Sequence, residues 1–277
     1  MSDLLHTFLF EHAAVRGAIV QLEATWRFMR ELRPYPPVVQ SLLGESVVAS
    51  ALLASTLKRT HGGLLMQMQG DGALKLLLAE CSGDFGLRGT ARWSEPMPHA
   101  PLNELIGTGR CVITLGGSGM ARYQGIVPLE AGSLPQALED YMHRSEQLES
   151  CIVLGAADAA VAGLLVQRIP DATDSDPDDW NRIQHLARTA RAAELSQVAA
   201  PAMLRRLFPQ DDVRLFAGRA LRFACSCSAQ RVESMLLGLG RTEVEDVLAE
   251  RGQMEVTCEF CGQRYVLTAQ ECRALFA

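Results

Sequence analysis

Four of the eight cysteines in this 277-residue chain stand in two close pairs. Cys225 and Cys227 form a Cys-x-Cys pair, and thirty residues later Cys258 and Cys261 form a Cys-x-x-Cys pair. A tight turn aims two thiolates at one point, and two such pairs supply the four sulfur ligands of a tetrahedral zinc ion. No histidine competes for a ligand position, because the nearest one upstream is His185. The spacing therefore predicts one zinc ion per chain, held by these four cysteines.

The Cys-x-Cys pair departs from the usual zinc-ribbon spacing, and the departure bears on redox chemistry. A disulfide across one intervening residue closes a small, strained ring that should be readily reduced. Oxidation of zinc-bound thiolates removes the ligands, and with them the folding free energy that the metal supplies. These residues permit a redox switch that releases zinc and unfolds the surrounding unit. A permanent structural zinc ribbon without a redox role has the same spacing, so both interpretations stay open at this point.

Two other classes of protein use paired cysteines. A thiol oxidoreductase could use Cys258 and Cys261, but it would place the pair at the start of a helix in a βαβ unit, and here the pair lies between strand-like runs. A zinc ribbon that binds nucleic acid needs basic residues around the metal. In residues 211–277 acidic residues outnumber basic ones by ten to eight, and the whole chain carries a net charge of -6. Phosphate binding is therefore disfavoured.

The segments before the cysteines predict an α+β core with a mixed, mainly antiparallel sheet. Residues 37–59 have apolar side chains at helical spacing, with Pro37 suited to the first turn and Lys58 and Arg59 to the last. A capping box at Ser133–Gln136 predicts a helix that runs to Leu148. Runs separated by glycine-rich turn signals predict hairpin-linked strands at 64–69, 73–81, 85–93, 111–117 and 121–127, and a further pair at 151–158 and 160–167.

The composition changes after Arg168. Residues 169–179 contain five aspartates and two prolines but no basic residue, which is typical of a solvated linker. A helix is predicted from Trp180 to Leu195, and it can be ordered only if its apolar face is docked. We expect that face to cover a surface of the first domain. The candidate switch-helix residues are Trp180, Ile183, Leu186 and Ala190, and the expected domains are a core (1–168), an acidic linker and helical region (169–217) and a zinc-binding redox-switch domain (218–277).

The other four cysteines do not belong to the two close pairs. Cys81, Cys111 and Cys151 lie in or beside apolar strands and are expected to be buried, inert thiols, whereas Cys272 has no assigned role.

The chain is 48% hydrophobic, its N-terminus does not have the pattern of a secretory signal, and the apolar run 152–166 contains Asp158 and is too short to span a bilayer. We expect a soluble, cytoplasmic protein.

Several segments also carry a family resemblance. They are FACSCSAQRVESMLLGLGRTEVEDVLAERGQMEVTCEFCGQRYVLT around the cysteines, YMHRSEQLES at 141–150, and LFEHAAVRG, YPPVVQSLLGE and QGDGALKLLLAEC nearer the N-terminus. Through these segments the whole chain resembles the bacterial heat-shock protein 33 family, the redox-regulated holdases also called 33 kDa chaperonins. The resemblance implies an ATP-independent chaperone rather than an enzyme, kept inactive by zinc on Cys225, Cys227, Cys258 and Cys261.

The same resemblance implies how such a protein is activated. Oxidation forms Cys225–Cys227 and Cys258–Cys261 disulfides and releases zinc, and the linker is then destabilised. The exposed apolar surface holds unfolding client proteins and prevents their aggregation, commonly as a homodimer. Neither a nucleic acid nor a membrane is expected as a partner.

Overall fold

A computed structural model describes residues 3–57, 62–116, 123–157, 159–170 and 177–276. The chain divides into two compact units, Met1–Phe223 and Ala224–Ala277. Four sequence predictions fall partly outside the described residues: the centre of the acidic linker (171–176), the end of the first long helix (Lys58 and Arg59), the facing ends of the strands predicted at 111–117 and 121–127, and the last residue of the strand predicted at 151–158.

The elements are numbered here in chain order. The strands are β1 (Leu4–Phe10), β2 (Val15–Leu22), β3 (Gly63–Gly70), β4 (Leu74–Cys81), β5 (Gly86–Trp93), β6 (Gly109–Gly116), β7 (Tyr123–Pro128), β8 (Ser150–Ala156), β9 (Val161–Arg168), β10 (Val213–Leu215), β11 (Arg219–Ala220), β12 (Arg222–Phe223), β13 (Gln253–Thr257) and β14 (Arg264–Thr268). The helices are α1 (Ala24–Leu32), α2 (Pro37–Thr56), α3 (Leu102–Ile106), α4 (Leu134–Arg144), α5 (Pro177–Arg188), α6 (Ala192–Gln197), α7 (Ala200–Leu207), α8 (Ala229–Leu239), α9 (Arg241–Arg251) and α10 (Ala269–Ala274). Together they form the α+β fold that the sequence predicts.

The first sheet of the larger unit has the strand order β10-β1-β2-β9-β8, with β11 also paired to β1, and all its pairs are antiparallel. Strands β2 and β9 are buried along nearly their whole lengths. Successive side chains of a strand point to opposite faces. Val20 and Leu165 accordingly join a core cluster with α2, whereas Ile19 and Leu164 join a second cluster with α5, α6 and α7. Helices therefore cover both faces of this sheet.

The second sheet has the strand order β12-β5-β4-β3-β6-β7 and contains the predicted glycine-turn hairpins. Its neighbours are antiparallel except β12 and β5, which pair in parallel. Helix α2 contacts strands of both sheets. By length and composition alone it is the one helix among the described residues that could cross a membrane, but 67% of its apolar stretch is buried, as in the core helix of a soluble protein.

The structure corrects two predictions about helix ends. Helix α4 begins where expected, but the Ser133 side chain forms no capping hydrogen bond, so the predicted capping box is wrong. Pro135 has no N–H to donate, which removes one of the two amides that a cap would engage. The helix also ends at Arg144 instead of Leu148, because Gln147 adopts a positive φ of 57° and the Leu148 N–H bonds back to the Met142 carbonyl.

The helix predicted over 180–195 is in fact two helices, α5 and α6. The Thr189 hydroxyl donates to the Leu186 carbonyl at 2.7 Å, and the Ala190 N–H bonds to the Ala187 carbonyl in a tighter final turn. Side-chain hydrogen bonds of this kind compete with the helical pattern. Arg191 is then extended and begins α6.

The smaller unit is built from α8, α9, the β13–β14 hairpin and α10. Thr268 and Glu271 form a capping box at the start of α10. Among the described residues of this unit, six form its buried core: Val232, Leu236, Val244, Leu248, Met254 and Cys272. A unit with so few buried apolar side chains needs a further source of stability.

Candidate metal centre

The four paired cysteines converge in the smaller unit. Their Sγ atoms all lie within 4.8 Å of one another, with 3.6 Å between Cys225 and Cys258 and 3.4 Å between Cys227 and Cys261. Sulfurs at about 2.3 Å from a central zinc ion form a tetrahedron with edges of about 3.8 Å. All four are free thiols and partly buried. The donor set and its dimensions therefore fit one tetrahedral zinc ion.

A hairpin turn positions Cys258 and Cys261. They lie between β13 and β14, whose last pair is Thr257 with Arg264. The Gly262 N–H donates to the Cys258 carbonyl at 2.8 Å, and the Cys258 N–H donates to the Gln263 carbonyl at 2.9 Å. Gly262 has a φ of +70°, which a residue without a Cβ adopts at little cost. The pair thus stands on a hairpin, as predicted, and not at the helix N-terminus that a thiol oxidoreductase would use.

The other pair lies just before α8, in a segment without regular secondary structure. Ser228 caps this helix by accepting a hydrogen bond from the Arg231 N–H at 3.2 Å. The Arg231 guanidinium reaches back to the Ser226 hydroxyl, between the two cysteines. These contacts tie the Cys-x-Cys segment to the first turn of α8.

The four thiols are not equivalent, because Tyr265 donates a hydrogen bond from its hydroxyl to the Cys227 sulfur at 3.1 Å. Burial opposes ionisation of Cys227, but the hydrogen bonds from Tyr265 and the neighbouring thiols outweigh it and lower the pKa of Cys227 to about 7. Burial instead raises the pKa of Cys225, and it raises the pKa of Cys261 to about 12. Proton loss from such a cluster belongs to the group as a whole, and Cys227 is the sulfur most disposed to carry the first negative charge.

Tyr265 is the residue of this site that the sequence reasoning missed. It lies on β14 and contacts Cys227 across 38 positions of sequence. The sequence feature that could have identified Tyr265 is its place on the strand that directly follows the Cys-x-x-Cys turn. A hydrogen-bond donor to a ligand sulfur orients that ligand and tunes its basicity.

The other cysteines are buried. Cys81, Cys111 and Cys151 are fully buried in strands, and burial raises the pKa of each thiol to about 12, which confirms the prediction of buried thiols. Cys272, left unassigned from sequence, is fully buried in the core of the smaller unit. Among the described residues, the quartet is the one group of three or more His, Cys, Asp or Glu side chains placed to hold a metal ion.

The candidate switch helix is docked on the first sheet. Trp180, Ile183 and Ala190 are buried and Leu186 is partly buried, in a cluster that includes Phe8, Phe10, Ile19, Leu164 and Val166 of the sheet. Two ion pairs hold α5 in place. Arg182 contacts Asp211 at 2.7 Å, and Arg188 contacts Glu139 at 2.9 Å. The predicted apolar face therefore has a defined surface beneath it.

Comparison with known proteins places this fold and site in context. The family model described as Hsp33 protein matches residues 3–268. The 33 kDa chaperonin of Methylobacillus flagellatus is 43% identical over 278 residues, covering 100% of this chain and 95% of the relative. That of Chromobacterium violaceum is 43% identical over 277 residues, covering 99% and 94%. The crystal structure of the 33 kDa chaperonin from Thermotoga maritima is similar in fold, with a TM-score of 0.83 at 24% identity over 99% of this chain and 98% of that one.

Proposed function

The chain belongs to the Hsp33 protein family, and on this premise we propose that it is an ATP-independent holdase switched on by oxidation. The family match supports a chaperone role. The observation that carries the redox part of the proposal is the cluster of four free thiols within 4.8 Å of one another. No enzymatic activity is part of the proposal.

In the reduced protein, Cys225, Cys227, Cys258 and Cys261 hold one zinc ion. When bound, zinc supplies an apparent folding free energy of about 10–16 kcal/mol. That contribution matters here because the smaller unit buries only six core side chains of its own. Tyr265 keeps the Cys227 sulfur oriented and favours its thiolate form.

The oxidant in this proposal is a peroxide, which reacts with cysteine thiolates. The Cys227 thiolate attacks one peroxide oxygen, the O–O bond breaks, hydroxide leaves, and a sulfenic acid forms. The Cys225 sulfur then attacks the sulfenyl sulfur, a disulfide forms, and water leaves. Cys258 and Cys261 react in the same way. Each disulfide takes two electrons from two sulfurs and consumes one peroxide molecule.

The pairing that we propose, Cys225–Cys227 and Cys258–Cys261, joins neighbours in sequence. In the folded unit, sulfurs of different pairs are in contact, with 3.6 Å between Cys225 and Cys258 and 3.4 Å between Cys227 and Cys261. Once the unit unfolds, those contacts are lost, and only cysteines separated by one or two residues remain close, because loop-closure entropy grows with the length of the loop. Unfolding thus favours the local disulfides.

Loss of the zinc-held unit then destabilises the helical region that precedes it in sequence. The ordered contacts of α5, α6 and α7 cover an apolar face of the first sheet, including Phe8, Ile19 and Leu164. Release of these helices exposes that face to unfolding client proteins, and a homodimer doubles the surface. We retain the functional division into 1–168, 169–217 and 218–277, and a cytoplasmic location without nucleic acid or membrane partners.

The experiment follows zinc and chaperone activity together. Zinc release is read with a metal-sensitive dye, and aggregation of a chemically denatured enzyme is read by light scattering, before and after peroxide. We expect suppression of aggregation to rise as zinc is released. Cys258→Ser should lose zinc affinity sharply, since it removes one of four ligands, whereas the matched control Ser226→Ala keeps all four sulfurs and should keep zinc.

Two outcomes contradict the proposal. Retention of zinc and of reversible redox control in Cys258→Ser would rule out the ligand assignment. Zinc release without any gain in suppression of aggregation would favour a permanent structural zinc ribbon instead.

A further inference from the structure

The sulfurs of the quartet differ in the groups that donate hydrogen bonds to them. Cys225 accepts one from the backbone of Cys227, and Cys261 accepts one from the backbone of Gln263. Backbone donors of this kind come with the turns that bring the cysteines together. The Cys227 sulfur instead accepts from a side chain, the Tyr265 hydroxyl, at 3.1 Å. Zinc needs only the four sulfurs, so this contact is available for tuning one of them.

Strand pairing and packing hold the Tyr265 ring in place. Tyr265 and Leu267 are partly buried on the inner face of β14 and pack against the core of the smaller unit. The Tyr265 backbone is paired with Val256 of β13. On the outer side of the hairpin, Arg264 and Glu255 form an ion pair at 2.8 Å that joins the same two strands. The hydroxyl therefore has a defined position against the sulfur.

A hydrogen bond to a thiolate withdraws electron density from its sulfur. The nucleophilicity of a thiolate falls as its basicity falls, with a Brønsted slope of about 0.4–0.5. In attack on peroxide, a sulfur lone pair forms the S–O bond, the O–O bond breaks, and the other oxygen leaves with the electron pair as hydroxide. A donor on the sulfur holds part of that lone pair. The four sulfurs are only partly buried, so this electronic effect acts on sulfurs that a small oxidant can reach.

We propose that Tyr265 is a positioning residue that restrains the oxidation of Cys227 and so sets the peroxide concentration at which the switch responds. The inference rests on the proposed redox-switched holdase function and specifies how that function is regulated. Tyr265 keeps its own proton throughout. The same hydrogen bond also helps to retain zinc, since loss of a partner to a ligand costs about 10–100-fold in metal affinity. One contact thus makes the reduced state both tighter for zinc and slower to oxidise.

Tyr265→Phe removes the hydroxyl and keeps the ring. In the full-length, zinc-loaded protein, we expect peroxide to release zinc about three- to tenfold faster than in wild type, because a charge-assisted hydrogen bond scaled by the Brønsted slope corresponds to that change in rate. Release without peroxide is measured separately and subtracted. Site-specific 3-fluorotyrosine in place of Tyr265 is a stronger donor and should slow the release. Val266→Ala, on the exposed face of the same strand, is the control and should match wild type.

A readout at each sulfur separates this role from a merely structural one. The zinc-loaded proteins are treated briefly with N-ethylmaleimide, and mass spectrometry gives the extent of alkylation at each cysteine. In Tyr265→Phe, alkylation of Cys227 should rise about three- to tenfold relative to that of Cys258, because the Cys227 sulfur is the one that loses a donor. Equal acceleration at all four sulfurs would mean that the variant only loosens the unit. That result, or unchanged alkylation, would overturn the proposal.

Suppression of aggregation is measured on the same samples before and after peroxide. A rise at Cys227 in Tyr265→Phe, with no gain in suppression when wild type is oxidised, rejects the proposed function alone. A gain in suppression by oxidised wild type, with no selective rise at Cys227 in the variant, rejects the restraint by Tyr265 alone.

Discussion

At the scale of single residues, identical side chains differ because their surroundings differ. Cys227 receives a hydrogen bond from Tyr265 and has a lowered pKa, whereas burial raises the pKa of Cys81 to about 12. Both are cysteines in one chain, but the Cys227 sulfur has a hydrogen-bond donor beside it, whereas the Cys81 thiol is buried and lies near the carboxylates of Asp84 and Glu80. Glu45 is a third case, in which a charged residue type is held without a partner by the packing around α2.

Glu45 makes stability depend on pH. Its pKa rises from an ordinary 4.5 to about 7 on folding, so the folded state binds more protons between these values. The stabilising contribution of Glu45 to the free energy of unfolding is therefore fully present below pH 4.5 and is lost as pH rises through 7. This contribution is on the order of 3 kcal/mol. Between pH 5 and pH 8, wild type should lose more unfolding free energy than Glu45→Gln.

Urea unfolding followed by tryptophan fluorescence measures this difference. Trp26, Trp93 and Trp180 all lie in the larger unit, so the signal reports on the unit that contains Glu45. Parallel pH profiles for wild type and Glu45→Gln would show that the carboxyl ionises freely in the folded protein.

At the scale of elements, the alternation of side chains along β2 and β9 decides which helix covers which face. Ile19 and Leu164 point toward the side covered by α5, α6 and α7, and Val20 and Leu165 point toward α2. A strand has a period of two, so one hydrophobic run supplies two separate cores. The helix on one side, α2, is buried on most of its surface, whereas α5 has an exposed side and is attached by one face. Helix α5 should therefore undock more easily than α2.

Ile183→Ala should loosen α5. Ile183 is fully buried against the first sheet, and truncation of such a side chain costs about 2–5 kcal/mol. We expect faster hydrogen exchange across 177–207 in the reduced, zinc-loaded protein, together with partial suppression of aggregation before any oxidant is added. Asn181→Ala, on the exposed side of the same helix, is the control and should match wild type. Unchanged exchange in Ile183→Ala would mean that α5 is held mainly by its ion pairs.

At the scale of the whole molecule, the two compact units differ in what stabilises them. The larger unit has two sheets and two extensive clusters of buried side chains. The smaller unit has six buried core residues and four sulfurs placed for a metal ion. We therefore propose that hydrophobic burial stabilises the larger unit, whereas the smaller unit depends on metal binding.

Removal of the metal should destabilise the smaller unit and leave the larger unit folded. With a chelator under reducing conditions, we expect amides across 224–277 to lose protection from hydrogen exchange, because the zinc contribution to folding is gone. Strands β1–β9 should stay protected, and added zinc should restore the smaller unit. A smaller unit that keeps its protection without metal would show that its apolar core is sufficient on its own.

The sequence by itself determined the features that depend on near neighbours in the chain. The two cysteine pairs, the helix from Pro37 and the hairpins between glycine turns could all be predicted, because ligand spacing, proline geometry and strand alternation are local properties. The apolar face of α5 was predicted on the same ground, although its break before α6 was not. That break depends on a side-chain hydrogen bond from Thr189, which competes with helix continuation.

Only the tertiary structure decided which environments those residues occupy. Tyr265 meets Cys227 across 38 positions, Cys272 completes a core with α8 and α9, and Glu45 lies in a groove built from three helix ends. Each of these facts depends on contacts between segments far apart in sequence, and periodicity carries no information about such contacts. Burial and hydrogen bonding shift the pKa of a side chain, so the chemistry of a residue type follows from its sequence and the tuning of that chemistry from its fold.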